Sequence, residues 1–139
     1  MRKLLLIAAL ATSAAVLAGN ASAGTSTWTS QANQVCVVWL AKAKAAFATP
    51  VKPSGLYKFA VQAKTMESQE LAQLQTIPGP STAGTHALSV MQSDIALVGS
   101  AISAWNRGDA ASFVTILKKY LNDHRTKDAF ALAGATKCG

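Results

Sequence analysis

The sequence is poor in the residues that most catalytic and metal sites require. It has 2 histidines, 6 acidic residues and 2 cysteines in 139 residues. It contains no Glu-x-x-His pair, H-E-x-x-H, G-x-S-x-G, P-loop or glycine-rich dinucleotide turn, which disfavours the di-iron, zinc-protease, hydrolase and nucleotide-binding classes. Two cysteines are too few for a disulfide-dense scaffold or a four-cysteine zinc site. We therefore expect no catalytic residue, no metal, no cofactor and no enzymatic activity.

The N-terminal segment has the three parts of a secretory signal peptide. Arg2 and Lys3 are followed by an apolar run over residues 4–18 and by Ala21-Ser22-Ala23, a typical cleavage sequence. The run is too short to span a bilayer, which takes about 20 residues as a helix. The alternative is an uncleaved N-terminal anchor. We predict a signal peptide over 1–23, a single domain over 24–139, and a secreted or extracytoplasmic location.

Four segments of similar length are separated by proline and glycine. Within each, apolar residues recur every three or four positions, which predicts amphipathic helices over about 28–48, 55–76, 83–106 and 110–133. Expected N-caps are Ser54, Ser81 or Thr82, and Asp109, and expected C-terminal glycines are Gly108 and Gly134. Short connections make neighbouring helices antiparallel, so the predicted fold is all-α, an up-down-up-down four-helix bundle. A break near Asn122-Asp123 would add a fifth short helix.

The two cysteines fall at positions that such a bundle can join. Cys36 lies level with about residue 123, and the residues from Gly134 to Cys138 are long enough to fold back over the intervening distance. Exported cysteines meet an oxidising compartment, which favours a Cys36–Cys138 disulfide. The alternative is a reactive or metal-binding thiol.

Several features together resemble a group of known proteins. They are Asn33-Gln34-Val35-Cys36 in an alanine-rich first helix, the junction Arg107-Gly108-Asp109, and the ending from Ala131 to Gly139 that contains Cys138. The chain looks like small exported helical proteins of actinobacteria. The resemblance implies the same fold and disulfide and carries no function and no catalytic residue.

One set of side chains is expected to meet inside the bundle. Glu67, Met91, Asp94 and His124 fall within a turn or two of one another when the helices are aligned by level. Such a set could ligate a metal, and His124 with Met91 or Met66 could ligate a haem iron. In the competing interpretation the methionines fill the core and the charged groups are solvated or paired.

Positive charge is concentrated in the first two helices. Residues 24–66 contain five lysines and no acidic residue, whereas residues 67–139 contain six basic and six acidic residues. Four of the lysines surround the first loop, at the pole shared with Arg107: Lys42, Lys44, Lys52 and Lys58. This basic pole could contact anionic cell-wall polymer or lipid headgroups, or it could only complement helix dipoles and aid solubility. No basic-aromatic pattern indicates nucleic-acid binding.

Three function classes follow from these observations. The favoured one is a non-enzymatic exported helical bundle with a binding or structural role at the cell envelope or outside the cell, with an anionic cell-wall polymer, a membrane surface or another exported protein as partner. The alternative is a carrier of a small ligand, haem or metal in the bundle core. The third is an enzyme of unfamiliar type.

Overall fold

The computed structural model describes residues 27–49 and 51–138, and every regular element in these ranges is helical. The predicted signal peptide lies outside the described residues. The helices are α1 (Trp28–Ala46), α2 (Leu56–Gln75), α3 (Thr82–Asn106), α4 (Ala110–Leu121) and α5 (Arg125–Leu132), with a 3-10 turn (Pro53–Gly55) before α2. The predicted all-α fold class is confirmed.

The helix ends follow from local capping. Side-chain oxygens of Ser81 and Asp109 accept hydrogen bonds from backbone N–H groups three residues further on, at 3.1 and 2.9 Å. Gly108 and Gly134 end their helices in the left-handed region, each with φ of 80°. The N-cap predicted at Ser54 is wrong, because this serine lies inside the 3-10 turn and α2 begins after a glycine without a capping side chain.

The fourth predicted segment divides into two helices, so the break near Asn122-Asp123 is confirmed. After α4 ends at Leu121, Oδ1 of Asp123 accepts a hydrogen bond from the backbone N–H of Arg125 at 3.0 Å. This bond satisfies one of the free donors in the first turn of α5. The break lets α5 change direction and return its apolar face to the bundle.

The buried side chains form two clusters that reflect the antiparallel course of the chain. One cluster joins the start of α1, the end of α2, the start of α3, α5 and the C-terminal segment; the other joins the start of α2, the end of α3 and α4. This alternation confirms the up-down-up-down bundle. The largest fully buried side chains include Phe130 and Leu74 in the first cluster and Phe113, Leu117 and Val98 in the second.

The bundle is open along one side. The central helix α3 packs against α2, α4 and α5, whereas α1 packs mainly on α2. A closed bundle would also join α1 to α4 along their length, but α1 and α4 make little direct contact within the described residues. The result is an open seam between these two helices.

The C-terminal segment is tied to α1. Cys138 forms a disulfide with Cys36 across 102 residues, with a Cα–Cα distance of 4.9 Å, so the predicted pairing is confirmed. Beside it, the backbone N–H of Lys137 donates to Oδ1 of Asn33 at 2.8 Å. A disulfide is typical of an oxidising, extracytoplasmic compartment.

The helix α3 is long and apolar enough to cross a membrane by length and composition alone, and it is the one such helix in the described part of the chain. The apolar repeat over 83–106 predicted only an amphipathic helix. Its buried face lies against three other helices and carries the buried carboxylate Asp94. This packing gives α3 the place of a core helix in the bundle.

Candidate functional site

Polar side chains meet between the two apolar clusters, where the seam is open. The hydroxyl of Tyr120 on α4 donates a short hydrogen bond to Oε1 of Glu67 on α2. The other oxygen of Glu67, Oε2, is buried and has no hydrogen-bond partner in the described part of the chain. Glu70, one turn further along α2, is half-buried in the same space. The helix α2 therefore presents two carboxyl groups to the seam.

A third carboxylate in this layer has its own partners. Asp94 on α3 is only 6% exposed. Its Oδ1 lies 3.0 Å from Nη2 of Arg125, and its Oδ2 accepts a hydrogen bond from the hydroxyl of Thr126. Glu67 and Glu70 have no comparable ion pair within residues 27–49 and 51–138. The uncompensated negative charge of the layer therefore lies on α2.

Burial makes this layer unfavourable for anions. It raises the pKa of Glu70 to about 7, with a further contribution from the neighbouring charge of Glu67. Burial also raises the pKa of Glu67, to which Asp94 adds, while the hydrogen bond from Tyr120 acts in the opposite direction. The pKa of the Tyr120 hydroxyl is raised as well, first by burial and then by Glu67. A nearby cation would relieve the repulsion between these carboxylates.

The four residues of the predicted ligand cluster line one cavity. Glu67, Met91, Asp94 and His124 surround a volume of about 290 Å³, which we call the acidic cavity. Alignment of the helices by level therefore places them together correctly. In the described ranges, however, no group of three His, Cys, Asp or Glu side chains could hold a metal ion. A ligand-binding role for this cluster stays a prediction.

A second cavity, which we call the slot, opens along the seam with a volume of about 280 Å³. The rings of Phe47 and Phe59 lie 4.8 Å apart between their centroids, where α1 ends and α2 begins. The slot shares Glu67, Glu70 and Tyr120 with the acidic cavity, so the two cavities adjoin at these side chains, and we call them together the cleft. The slot is lined by Cys36, Trp39, Leu40 and Ala43 from α1, by Phe47 just after it, by Phe59, Ala63, Met66, Glu67 and Glu70 from α2, and by Tyr120 and Lys137.

The indole of Trp39 forms a fixed part of the slot wall. Its Nε1 donates to Oε1 of Gln73 on α2 at 2.6 Å, which ties α1 to α2. The ammonium of Lys42 lies 3.8 Å from the centre of the indole ring, within the range of a cation–π contact. The position of α1 beside the slot is therefore set by both packing and polar contacts.

Three important side chains of the cleft are missing from the predicted cluster: Glu70, Tyr120 and Trp39. Glu67 and Glu70 are the two acidic residues of α2 and are three residues apart, so they share a helix face. A tyrosine in an apolar stripe needs a partner for its hydroxyl, and a buried carboxylate at the same level is such a partner. Both signals are present in the sequence and could have identified Glu70 and Tyr120.

The basic pole lies at the end of the bundle where α1 ends and α2 begins. Lys52 and Lys58 border a common surface pocket there, and Lys44 is in the last turn of α1. Arg107, at the end of α3, follows Asn106, whose Oδ1 accepts a hydrogen bond from the α2 residue Tyr57 at 3.1 Å. These side chains share one pole, with Lys42 one turn away over Trp39. Their contact with an anionic surface stays a prediction.

Comparisons of the chain with protein-family models, with curated proteins and with solved structures find no match. The resemblance to small exported proteins of actinobacteria therefore stays a prediction.

Proposed function

We propose that the protein is an exported, non-enzymatic binding protein whose slot takes a small, largely apolar molecule. The observation that carries this proposal is the open seam, which leaves the apolar stripe of α1 beside a cavity instead of against α4. Ligand sites are concave, mostly apolar and furnished with a few polar groups, and usually enclose about 300–1,000 Å³. The slot has this character, and its volume of about 280 Å³ lies just below that range.

Export and the lack of enzymatic activity rest on separate observations. The disulfide and the signal-like N-terminal segment support passage into an oxidising compartment. The sequence lacks the motifs of familiar enzyme classes. Binding through a preformed cleft needs neither a nucleophile nor a cofactor, so it accounts for the scarcity of reactive groups.

The test is saturable binding of a neutral apolar fluorescent probe, N-phenyl-1-naphthylamine, to the protein with its disulfide intact. Ala43 lines the slot, whereas Ala45, two residues further along α1, is exposed and does not. We expect Ala43→Trp to fill the slot and weaken probe binding at least ten-fold. The matched variant Ala45→Trp should bind as the unmodified protein does.

Two outcomes would contradict the proposal. One is the lack of saturable binding by the unmodified protein. The other is equal binding by both tryptophan variants, which would place the probe outside the slot. Circular dichroism of each variant establishes that the helices are retained.

A further inference from the structure

The slot changes from apolar to acidic along its length. Phe47 and Phe59 lie at the end where α1 meets α2, and Glu67 and Glu70 lie further along α2. At 1.5 Å per residue, the helix separates Phe59 from Glu67 by about 12 Å and from Glu70 by about 16 Å. A molecule that filled the slot would therefore meet aromatic rings at one end and two carboxyl groups at the other.

No basic side chain of the described residues forms an ion pair with Glu67 or Glu70. Arg125 forms the two ion pairs of these residues, with Asp94 and Asp123. Lys137 lines the slot, but its ammonium makes no ion pair with Glu67 or Glu70. The buried oxygen Oε2 of Glu67 has no hydrogen-bond partner among residues 27–49 and 51–138. Buried charges and polar atoms are costly without partners, so this end is incomplete as it stands.

We infer that the slot binds an organic ammonium ion with an apolar tail, with its head beside Glu67 and Glu70 and its tail extending toward Phe47 and Phe59. This inference rests on the proposed function and specifies the class of its ligand. The ammonium head places a positive charge beside the two carboxyl groups. The tail covers apolar surface that the seam leaves in contact with water.

An organic cation fits the slot better than an anion or a bare metal ion. An anion would approach two carboxyl groups that form no ion pair in the described part of the chain. A metal ion needs several converging ligands, and no suitable trio of His, Cys, Asp or Glu exists in the described part of the chain. Aromatic rings such as those of Trp39 and Tyr120, which line the slot, attract cations in addition to burying apolar tails.

The formal net charge of +7 does not prevent cation binding. Most of the excess is carried by exposed lysines of the basic pole and by the N-terminal residues. At physiological salt, interactions between exposed charges decay over about 8 Å, whereas partly buried charges are screened less. The charged groups that line the slot, Glu67, Glu70 and Lys137, therefore dominate the field that a bound head group meets.

The experiment compares three ligands that share a ten-carbon tail: decyltrimethylammonium, 1-decanol and decanoate. Each displaces N-phenyl-1-naphthylamine from the protein at pH 8 and 0.15 M salt. We expect decyltrimethylammonium to act at a concentration at least ten-fold lower than decanol, with decanoate the weakest of the three. Glu67→Gln with Glu70→Gln should bring the cation and the alcohol to within two-fold of each other while probe binding is retained.

A matched pair of single variants separates local from overall charge. Glu70→Gln and Asp128→Asn each remove one negative charge, but Asp128 is exposed on α5 and lines neither cavity. Glu70→Gln should reduce the preference for the cation, and Asp128→Asn should leave it unchanged. Equal effects of the two variants would overturn the inference.

The pH dependence provides a second readout. The groups that face the acidic end are Glu67, Glu70, Tyr120 and Lys137, with Asp94, Asp123, His124 and Lys127 in the adjoining acidic cavity. Because the pKa of Glu70 is raised to about 7, its carboxyl group loses its charge as the pH falls through that value. The preference for the cation should therefore be weaker at pH 5.5 than at pH 8.

Failure of the inference can be distinguished from failure of the proposed function. If decanol displaces the probe as well as the ammonium ion does, the slot binds apolar molecules without regard to charge and the inference is wrong. If the probe itself does not bind, the proposed function is wrong as well.

Discussion

Glu70→Gln should make the protein more stable at neutral and alkaline pH. The glutamine keeps the size of the side chain and removes its charge, so the variant isolates the cost of ionising a half-buried carboxyl group. The pKa of Glu70 is about 7 in the folded protein, against an ordinary glutamate value of 4.5 in the unfolded chain. As the pH rises, the unfolded state therefore loses this proton first.

The sign and size of the effect follow from this difference. A carboxyl group whose pKa is raised by folding contributes its full stability below about pH 4.5, loses it between about 4.5 and 7, and changes little above that. A difference of one in pKa corresponds to about 1.4 kcal/mol. Between pH 5 and pH 8 we therefore expect the unmodified protein to lose roughly 2–3 kcal/mol of unfolding free energy through Glu70.

Urea unfolding followed by circular dichroism, at several pH values from 5 to 8 with the disulfide intact, measures this change. Glu70→Gln should show a smaller loss, with the remainder due to Glu67, whose pKa is also raised by burial, and should exceed the unmodified protein by roughly 2–3 kcal/mol at pH 8. The pKa values of Asp109 and Asp123 are lowered by hydrogen bonds to Ser112 and Arg125. Their stabilising effect is lost only as the pH falls below the ordinary carboxyl range, so it does not enter this window.

Asp128→Asn is the matched control, because it removes an exposed carboxylate in the first turn of α5. It should shift the unfolding free energy by a nearly constant amount and follow the pH dependence of the unmodified protein. Stability that does not fall from pH 5 to pH 8, or that falls equally in Glu70→Gln, would refute the assigned burial of Glu70.

Two further predictions concern the framework of the cleft. Replacing Cys36 and Cys138 together by serine opens a loop of 102 residues, and should lower the unfolding free energy by about 2–5 kcal/mol in urea titrations; an unchanged midpoint would contradict a stabilising bond. Two glycine-to-alanine substitutions on α3 should change the stability in opposite directions, as measured by thermal unfolding. Gly99→Ala should stabilise the protein by up to about 1 kcal/mol through helix propensity, because its new Cβ meets only the end of a lysine side chain at 3.5 Å. Gly84→Ala should destabilise, because its Cβ would lie 3.0 Å from the ring of the buried Trp28; stabilisation by both variants would show that this ring can move freely.

The helices and the disulfide could be predicted because they depend on local or one-dimensional properties. Prolines interrupt the helical pattern, and N-capping residues such as Ser81 and Asp109 begin the next helix, at positions that the chain itself specifies. The Cys36–Cys138 pairing needed only helix rise and loop position. The same arithmetic brought Glu67 and His124 to one cavity, because antiparallel helices of similar length fix the level of each residue.

The open seam could not be predicted from the same patterns. Periodicity assigns Ala43 and Phe47 to a buried stripe, but both are only partly buried, because this stripe lies beside the slot instead of against α4. Whether two helices close on each other depends on the volumes of all the side chains between them, which a single-helix pattern does not contain. Glu70 and Tyr120 are important only because of this opening.

The open seam and the polar side chains beside it have a common physical cause. A closed bundle would bury Glu67 and Glu70 with no cation to balance them, at a cost that the two apolar clusters on either side could not readily offset. Asp94 can remain buried in α3 because Arg125 and Thr126 reach it from α5. Leaving α1 apart from α4 keeps Glu67 and Glu70 only partly buried, beside the slot. The binding that we propose therefore uses the part of the bundle in which full closure would be costly.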